Sequence, residues 1–338
     1  MASLIRGIGL LLILTLVITW LLVEQVQKWL FTSQNLLEPI VFEVKPGRSF
    51  SQISNDLEQS GIIPQASPLI WYASWKGFDH RIHAGEYLFQ GPLTAQQVLQ
   101  KMVTGEVRNY RLTIPEGWTY AQFTKALQEH PVMGRKPIPE AGLLLRSLGS
   151  QQQHPEGLFF PSTYYFSNQN TPESVLIQAY QRQQFELSVA WSKRSANLPY
   201  KSPYQALIMA SIIEKETGLA SEQATIAGVF VRRLQKGMRL QADPTVIYGL
   251  GANFDGNLTR NHLRSINPYN TYSHIGLPPT PIALPGASAL HAALHPAAGD
   301  SLYFVAKGDG SHAFSAILAE HRRAVRKYQL RLVRGTGN

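Results

Sequence analysis

Residues 7–23 form a run of 17 positions without a charge, most of them Leu, Ile, Val or Gly. As a helix rising about 1.5 Å per residue, this run reaches roughly 25 Å, close to the thickness of a bilayer's hydrocarbon layer. No small-x-small cleavage site follows, since Trp20-Leu21-Leu22-Val23-Glu24-Gln25 offers only large or charged residues. The pattern therefore predicts a retained membrane anchor rather than a removed signal peptide. Arg6 stands before the run and Glu24 after it. That charge bias predicts a cytoplasmic tail over 1–6, a single span over 7–23, and the remaining chain on the extracytoplasmic side. A polar helical stalk is predicted over 24–37.

Past the stalk the period shortens. Ile40-Val41-Phe42-Glu43-Val44 reads as a strand, followed by Pro46-Gly47-Arg48-Ser49 and then apolar positions at helical spacing, Phe50, Ile53 and Leu57. Seventy residues on, Leu112-Thr113-Ile114 is followed by Pro115-Glu116-Gly117-Trp118-Thr119, then Phe123 and Leu127. Both segments place a hydroxyl with Gln three residues later, Ser49/Gln52 and Thr119/Gln122, the capping-box pattern that opens a helix. The repeat predicts two similar strand–turn–helix units. With a strand at 84–89 and a helix at 94–103, the first forms a small α/β domain over 38–106. The rest, 107–334, has a mixed texture. Helices are predicted at 172–195, 203–217, 221–236 and 317–334, and a hairpin joins strands 302–306 and 311–314 through Lys307-Gly308-Asp309-Gly310. The fold class expected is α+β: one transmembrane helix, a small α/β domain, and a larger mixed domain.

Composition narrows the chemistry. The chain has no Cys, which excludes disulfides, thiolate nucleophiles, Cys-ligated zinc and iron–sulfur centres. It lacks a His-Glu-x-x-His, a Walker lysine loop, a Gly-x-Ser-x-Gly elbow and a dinucleotide Gly-x-Gly-x-x-Gly. No cofactor and no metal are expected; His291 and His295 have helical metal spacing, but Pro296 follows at once and no Glu stands between them. The net charge of +9 points to an anionic partner. Much of the excess sits in Arg322, Arg323, Arg326, Lys327, Arg331 and Arg334 on the last helix, a solvated face or one turned to anionic lipid or polymer. Nucleic acid is not the expected partner.

Tyr204–Gly218 is the informative helix. It is apolar nearly all round until Glu214-Lys215-Glu216. Two residues correspond to about 200° around a helix, so the two glutamates cannot share a face. Glu216 continues the Met209, Ile212, Ile213 stripe; Glu214 falls with Leu207 and Ser211. A carboxyl on an apolar stripe at a helix C-terminus should have a raised pKa, as a general acid at neutral pH requires. The same helix could equally end in two ion-paired, solvated glutamates. Nearby, Gln241-Ala242-Asp243-Pro244-Thr245-Val246-Ile247-Tyr248-Gly249 and Asn267-Pro268-Tyr269-Asn270-Thr271-Tyr272 are polar, aromatic and proline-stiffened. Such loops suit a carbohydrate groove, with rings stacking on sugars and amides bonding hydroxyls.

Ala210-Ser211-Ile212-Ile213-Glu214-Lys215-Glu216-Thr217 resembles the signature helix of the endolytic murein transglycosylases, the MltG or YceG-like family. So do 237–249, Tyr269-Asn270-Thr271-Tyr272 with Gly276-Leu277-Pro278-Pro279, His154-Pro155-Glu156-Gly157-Leu158-Phe159-Phe160-Pro161, and Leu302-Tyr303-Phe304-Val305-Ala306. The chain departs from the family's usual residues at Ala242, Thr280 and Lys307. The resemblance implies a LysM-like small domain and a lyase that cuts the β-1,4 bond between N-acetylmuramic acid and N-acetylglucosamine inside glycan strands, leaving 1,6-anhydro ends. It implies Glu216 as the catalytic acid/base. Glu214, Gln241, Asp243, Thr245, Tyr248, Asn270, Tyr272 and Glu156 are then expected to contact substrate. It further implies action on nascent strands at the inner membrane, limiting their elongation, with peptidoglycan synthases (penicillin-binding proteins) as partners. A non-catalytic wall-binding scaffold, and a hydrolytic muramidase using Asp243 as second carboxylate, are the alternatives.

Overall fold

The computed structural model describes residues 2–335, with side chains from 7 to 329; those of Arg6, Arg331 and Arg334 lie outside the described ones. The architecture is mixed α+β with one N-terminal apolar helix, and the chain divides into two compact units. The first holds residues 1–110 and 165–170, the second 111–164 and 171–338.

Helix α1 (Ala2–Phe31) opens the first unit, and its apolar stretch from Ile8 to Val23 is exposed along nearly its whole length. The expected stalk is corrected in its second half. The helix stops at Phe31, and β1 (Ser33–Val44) is already extended. Pro39 disfavours helix at the residue before it, and Ser33–Leu36 pairs in register with Gly91–Thr94 of β2 (Gly85–Thr94). The first half of that segment is no stalk either, because Leu30 is fully buried and Val26 and Trp29 pack against the unit's core. Helices α2 (Phe50–Gln59), α3 (Ser67–Lys76) and α4 (Ala95–Thr104) cover the β1–β2 ribbon. Leu57, Leu69, Phe89, Val98 and Met102 are sealed between them.

The predicted repeat is real at the level of local geometry. Between β1 and α2, Gly47 turns at φ +80°; between β3 (Tyr110–Thr113) and α5 (Tyr120–Glu129), Gly117 turns at φ +77°. Both values lie in the left-handed region that favours glycine. Each following helix is closed by its capping box. Gln52 N donates to Ser49 Oγ and Ser49 N to Gln52 Oε1; Thr119 and Gln122 do the same.

In the second unit, α6 (Ala141–Ser147) leads to β4 (Thr163–Phe166), which pairs with β3, and α7 (Pro172–Ser192) follows. Helix α8 (Pro203–Glu216) is the centre of this unit. Every residue from Ala206 to Ile213 is buried against α7, α9 (Ala220–Gln235), α10 (Asp243–Leu250) and α12 (Ala287–Leu294). Short α11 (Arg260–Arg264) precedes α12. Ser211, the one polar residue in that buried run, donates to Ile208 O at 2.7 Å and accepts Ile282 N at 3.0 Å, so it pins an irregular loop to the helix. The hairpin of β5 (Tyr303–Ala306) and β6 (His312–Ser315) forms as the glycine turn predicts, and α13 (Leu318–Gly335) lies against it.

Candidate active site

The buried run of α8 ends at Ile213, and in the C-terminal turn beyond it the two glutamates diverge as the helix geometry requires. Glu216 lines an open cleft of about 600 Å³ with Arg233, Gln241, Asp243, Tyr272 and Tyr303. Glu214 turns elsewhere and accepts Gly286 N at 3.0 Å.

Three pieces of local structure bring the cleft residues together. Arg233 comes from the last turn of α9, is 6% exposed, and donates to Leu302 O and Leu240 O, both at 2.6 Å. It therefore ties β5 and the 240 loop to one helix. Its guanidinium also sits 5.3 Å from the Tyr303 ring centre. Asp243 is the first residue of α10, where the helix dipole favours a negative charge. Tyr272 Oη donates to Asp243 Oδ1 at 2.5 Å, and burial together with that carboxylate raises the phenol's pKa, keeping it a donor. Gln241 stands beside them in a left-handed conformation (φ +52°), its N–H held by Thr271 O. On the far wall α13 contributes Leu318, His321, Val325 and Gln329, while its Arg322, Arg323, Arg326 and Lys327 are exposed to solvent.

Glu216 is partly exposed through the cleft and otherwise enclosed. Burial pushes its carboxyl up to about 8, the Asp243 charge adds to the rise, and Arg233 opposes it. Among the described residues no donor binds its side chain, whereas Asp243 and Glu214 both have one. A carboxyl whose pKa is raised above neutrality and that lines an open cleft can hand its proton to a bound molecule. His312, also on the cleft wall, is held by Glu222: its N–H donates to Oε1 at 3.0 Å and its Nδ1 lies 2.7 Å from Oε2.

Of the residues expected to contact substrate, the structure gathers Gln241, Asp243 and Tyr272 around Glu216. The others do not line this cleft. Thr245 is fully buried, its hydroxyl spent on Ala242 O and Thr271 Oγ1. Asn270 is 1% exposed and uses its amide to gather the carbonyls of Leu263 and Ser265 while accepting Tyr272 N. Both shape the loops that present Asp243 and Tyr272, and neither offers a surface to a ligand. Glu156 is 3% exposed, accepts Tyr120 N at 2.9 Å and Tyr248 Oη at 3.1 Å, and is pushed up by burial to about 7. With Tyr248 it forms an internal cluster away from the cleft lining. Glu214 likewise acts as an acceptor for the loop before α12. His291 and His295 stack at 4.4 Å at the end of α12, and among the described residues no three potential ligands converge on a metal.

Sequence reasoning missed Arg233, Tyr303 and His312 as cleft residues. Arg233 had left a signal: it stands seven residues after Ile226, on the apolar stripe of α9, where a charge needs internal partners. Replacing Asn270 with Ala should cost about 2 kcal/mol, because buried carbonyls lose their donor. Urea unfolding measures this, and an unchanged midpoint would refute the loop-gathering role.

An exposed apolar N-terminal helix, two compact units of a mixed α+β chain, and a polar and aromatic cleft with a carboxyl of raised pKa at one helix end are the features to set beside known proteins. The chain belongs to the YceG-like family, whose model matches residues 42–327. It is 32% identical over 321 residues to the endolytic murein transglycosylase of Bacillus subtilis strain 168, covering 87% of this chain and 88% of that one. The endolytic murein transglycosylase of Streptococcus pneumoniae R6 is 27% identical over 299 residues; these span 78% of this chain but 53% of that longer protein. Among solved structures, a YceG-like protein of Listeria monocytogenes aligns with 85% of this chain and 99% of its own, at 32% identity and a TM-score of 0.53.

Proposed function

We propose that this protein is an endolytic murein transglycosylase, a lyase that cuts the β-1,4 bond between N-acetylmuramic acid and N-acetylglucosamine within glycan strands. The observation that carries this is Glu216 at the end of α8, lining an open cleft with no hydrogen-bond partner among the described residues and with burial pushing its carboxyl up to about 8. The names of the Bacillus and Streptococcus relatives support it. Glu216 donates its proton to the glycosidic oxygen as the bond to the anomeric carbon breaks. The positive charge that develops on the sugar is stabilised by Asp243, whose orientation Tyr272 holds. Glu216, now a carboxylate, takes the proton of the muramoyl 6-hydroxyl as that oxygen closes on the anomeric carbon. One bond breaks, one forms, no water is consumed, and the glutamate ends as it began. Tyr272, Tyr303 and Gln241 line the cleft that would receive the sugars.

Asp243 beside Glu216 also favours a second reading. Paired carboxylates are the equipment of a hydrolase, in which water rather than the 6-hydroxyl would be the acceptor.

In the same proposal residues 7–23 cross the cytoplasmic membrane once and 24–334 lie outside, with 107–334 as the catalytic domain. The domain at 38–106 is a LysM-like wall-binding module. A groove of about 500 Å³ there, lined by Lys45, Arg48, Ser49 and His80, is consistent with that. Tethered so, the enzyme would meet nascent strands beside the peptidoglycan synthases, its partners, and limit strand length. The test is to incubate uncross-linked glycan strands with the full chain and size the products. Internal cutting shortens the mean length early, before disaccharides accumulate. Strands bound but never shortened would leave a wall-binding scaffold instead.

A further inference from the structure

Helix α3 carries an unusual exposed face. Leu69 and Ala73 are buried in the first unit, but Trp71 and Trp75, four residues apart, are 49% and 65% exposed. Their rings stack at 6.0 Å, Tyr72 leans against Trp75 at 6.3 Å, and Lys76 Nζ lies 4.4 Å over the Trp75 ring. Two tryptophans held open to water on one helix face are costly unless something apolar covers them.

Their position identifies the cover. Trp71, Tyr72 and Trp75 join Val23, Val26, Gln27 and Leu30 of α1 around an apolar hollow of about 240 Å³. The charge-free stretch of α1 runs from Gly7 to Val23, and Glu24 follows it. At about 1.5 Å each these residues rise roughly 25 Å, close to the thickness of the hydrocarbon layer, which therefore ends near Val23. The α3 face therefore lies beside the segment of α1 where hydrocarbon gives way to headgroups. Trp, Tyr and Lys are the residues suited to that boundary: the rings partition into it and the ammonium reaches the phosphates.

We infer that α3 is a second membrane contact, with Trp71, Tyr72, Trp75 and Lys76 seated in the headgroup layer of the same bilayer that α1 crosses, so that the first unit lies on the membrane rather than swinging from a flexible stalk. This rests on the proposed anchor. Burial of Leu30 against the unit's core removes the swivel that a free stalk would provide.

The chain has no cysteine, so single cysteines can be introduced cleanly. Four full-length variants, Trp71→Cys, Trp75→Cys, Leu14→Cys and Ile266→Cys, are nitroxide-labelled in vesicles of phosphatidylcholine and phosphatidylglycerol. Collisions with oxygen, which concentrates in lipid, are compared with collisions with a water-soluble nickel chelate. Leu14 should report lipid interior. Ile266, 94% exposed in the second unit, should report water. The Trp71 and Trp75 positions should show nickel collisions several-fold below those at Ile266 and a shallower depth than Leu14. Adding Trp71→Ala to the labelled Trp75→Cys chain should move that probe towards water. Water-like values at both tryptophan positions with Leu14 still in lipid would overturn the contact and leave the anchor standing. Water-like values at Leu14 would remove the anchor and the contact together. Labels shielded from both reagents and broadened by each other would mean that a second copy of the chain, not lipid, covers this face.

Discussion

Replacing Glu216 with glutamine lowers turnover on glycan strands at least ~10²-fold while leaving the protein as stable as before or more so. Glutamine keeps the shape of the side chain but cannot give and retake a proton. The stability half follows from linkage. Burial raises the folded-state pKa to about 8 from an ordinary 4.5, so the native state holds this proton more tightly than the unfolded chain does. The stability contributed by that protonation is complete below the unfolded value and is lost as pH rises towards the folded one. The glutamine variant, which cannot ionise, escapes that loss. Its Tm relative to the parent should therefore be higher at about pH 8 than at about pH 5. The parent's kcat/KM should fall as pH rises through about 8, where the acid is lost. Glu214→Gln, remote from the cleft, should be much milder. Near-parental turnover by the Glu216 variant would take the chemistry away from this residue.

The second large effect is expected at Arg233. Its guanidinium satisfies two carbonyls from different segments and lies on the cleft wall. Methionine fills a similar volume but donates nothing. Hydrogen bonds to charged donors are each worth about 1.5–3 kcal/mol, so Arg233→Met should destabilise by about 3 kcal/mol after the arginine's own desolvation is recovered. It should also act on the proton of Glu216. Arg233 lowers that carboxyl's pKa, so its loss raises it further, and the basic limb of the pH–rate profile moves to higher pH. Urea unfolding measures the first effect and kcat/KM against pH the second. A less stable variant with an unmoved limb would make Arg233 a purely structural tie.

The segments legible in the sequence were those whose signal is local. The capping boxes at Ser49 and Thr119, the glycine turn before β6, and the opposed faces of Glu214 and Glu216 follow from spacing alone, and the structure shows each of them. The segment at 33–37 was misread because its extended state is dictated by a partner strand more than fifty residues away. The short helices α6, α10 and α11 had too few turns to impose a period. The binding loops misled for a different reason. Asn270 and Thr245 are polar in the right places, but a loop that must hold an unusual path inside the protein needs polar side chains for its own backbone. A sequence does not distinguish an amide turned inward to carbonyls from one offered to a sugar.

The claim that Glu216 delivers the bond to the substrate's own hydroxyl is tested most directly by digesting purified glycan strands in ¹⁸O-water and weighing the new ends. The 6-hydroxyl is already tethered to the reacting sugar, an advantage equivalent to a very high effective concentration over water. The account predicts 1,6-anhydromuramoyl ends, each lighter by one water than a hydrolysed end, with no ¹⁸O incorporated, and none formed by the Glu216→Gln variant. Reducing muramic ends carrying ¹⁸O would contradict it, and would make Asp243 the second carboxylate of a hydrolase.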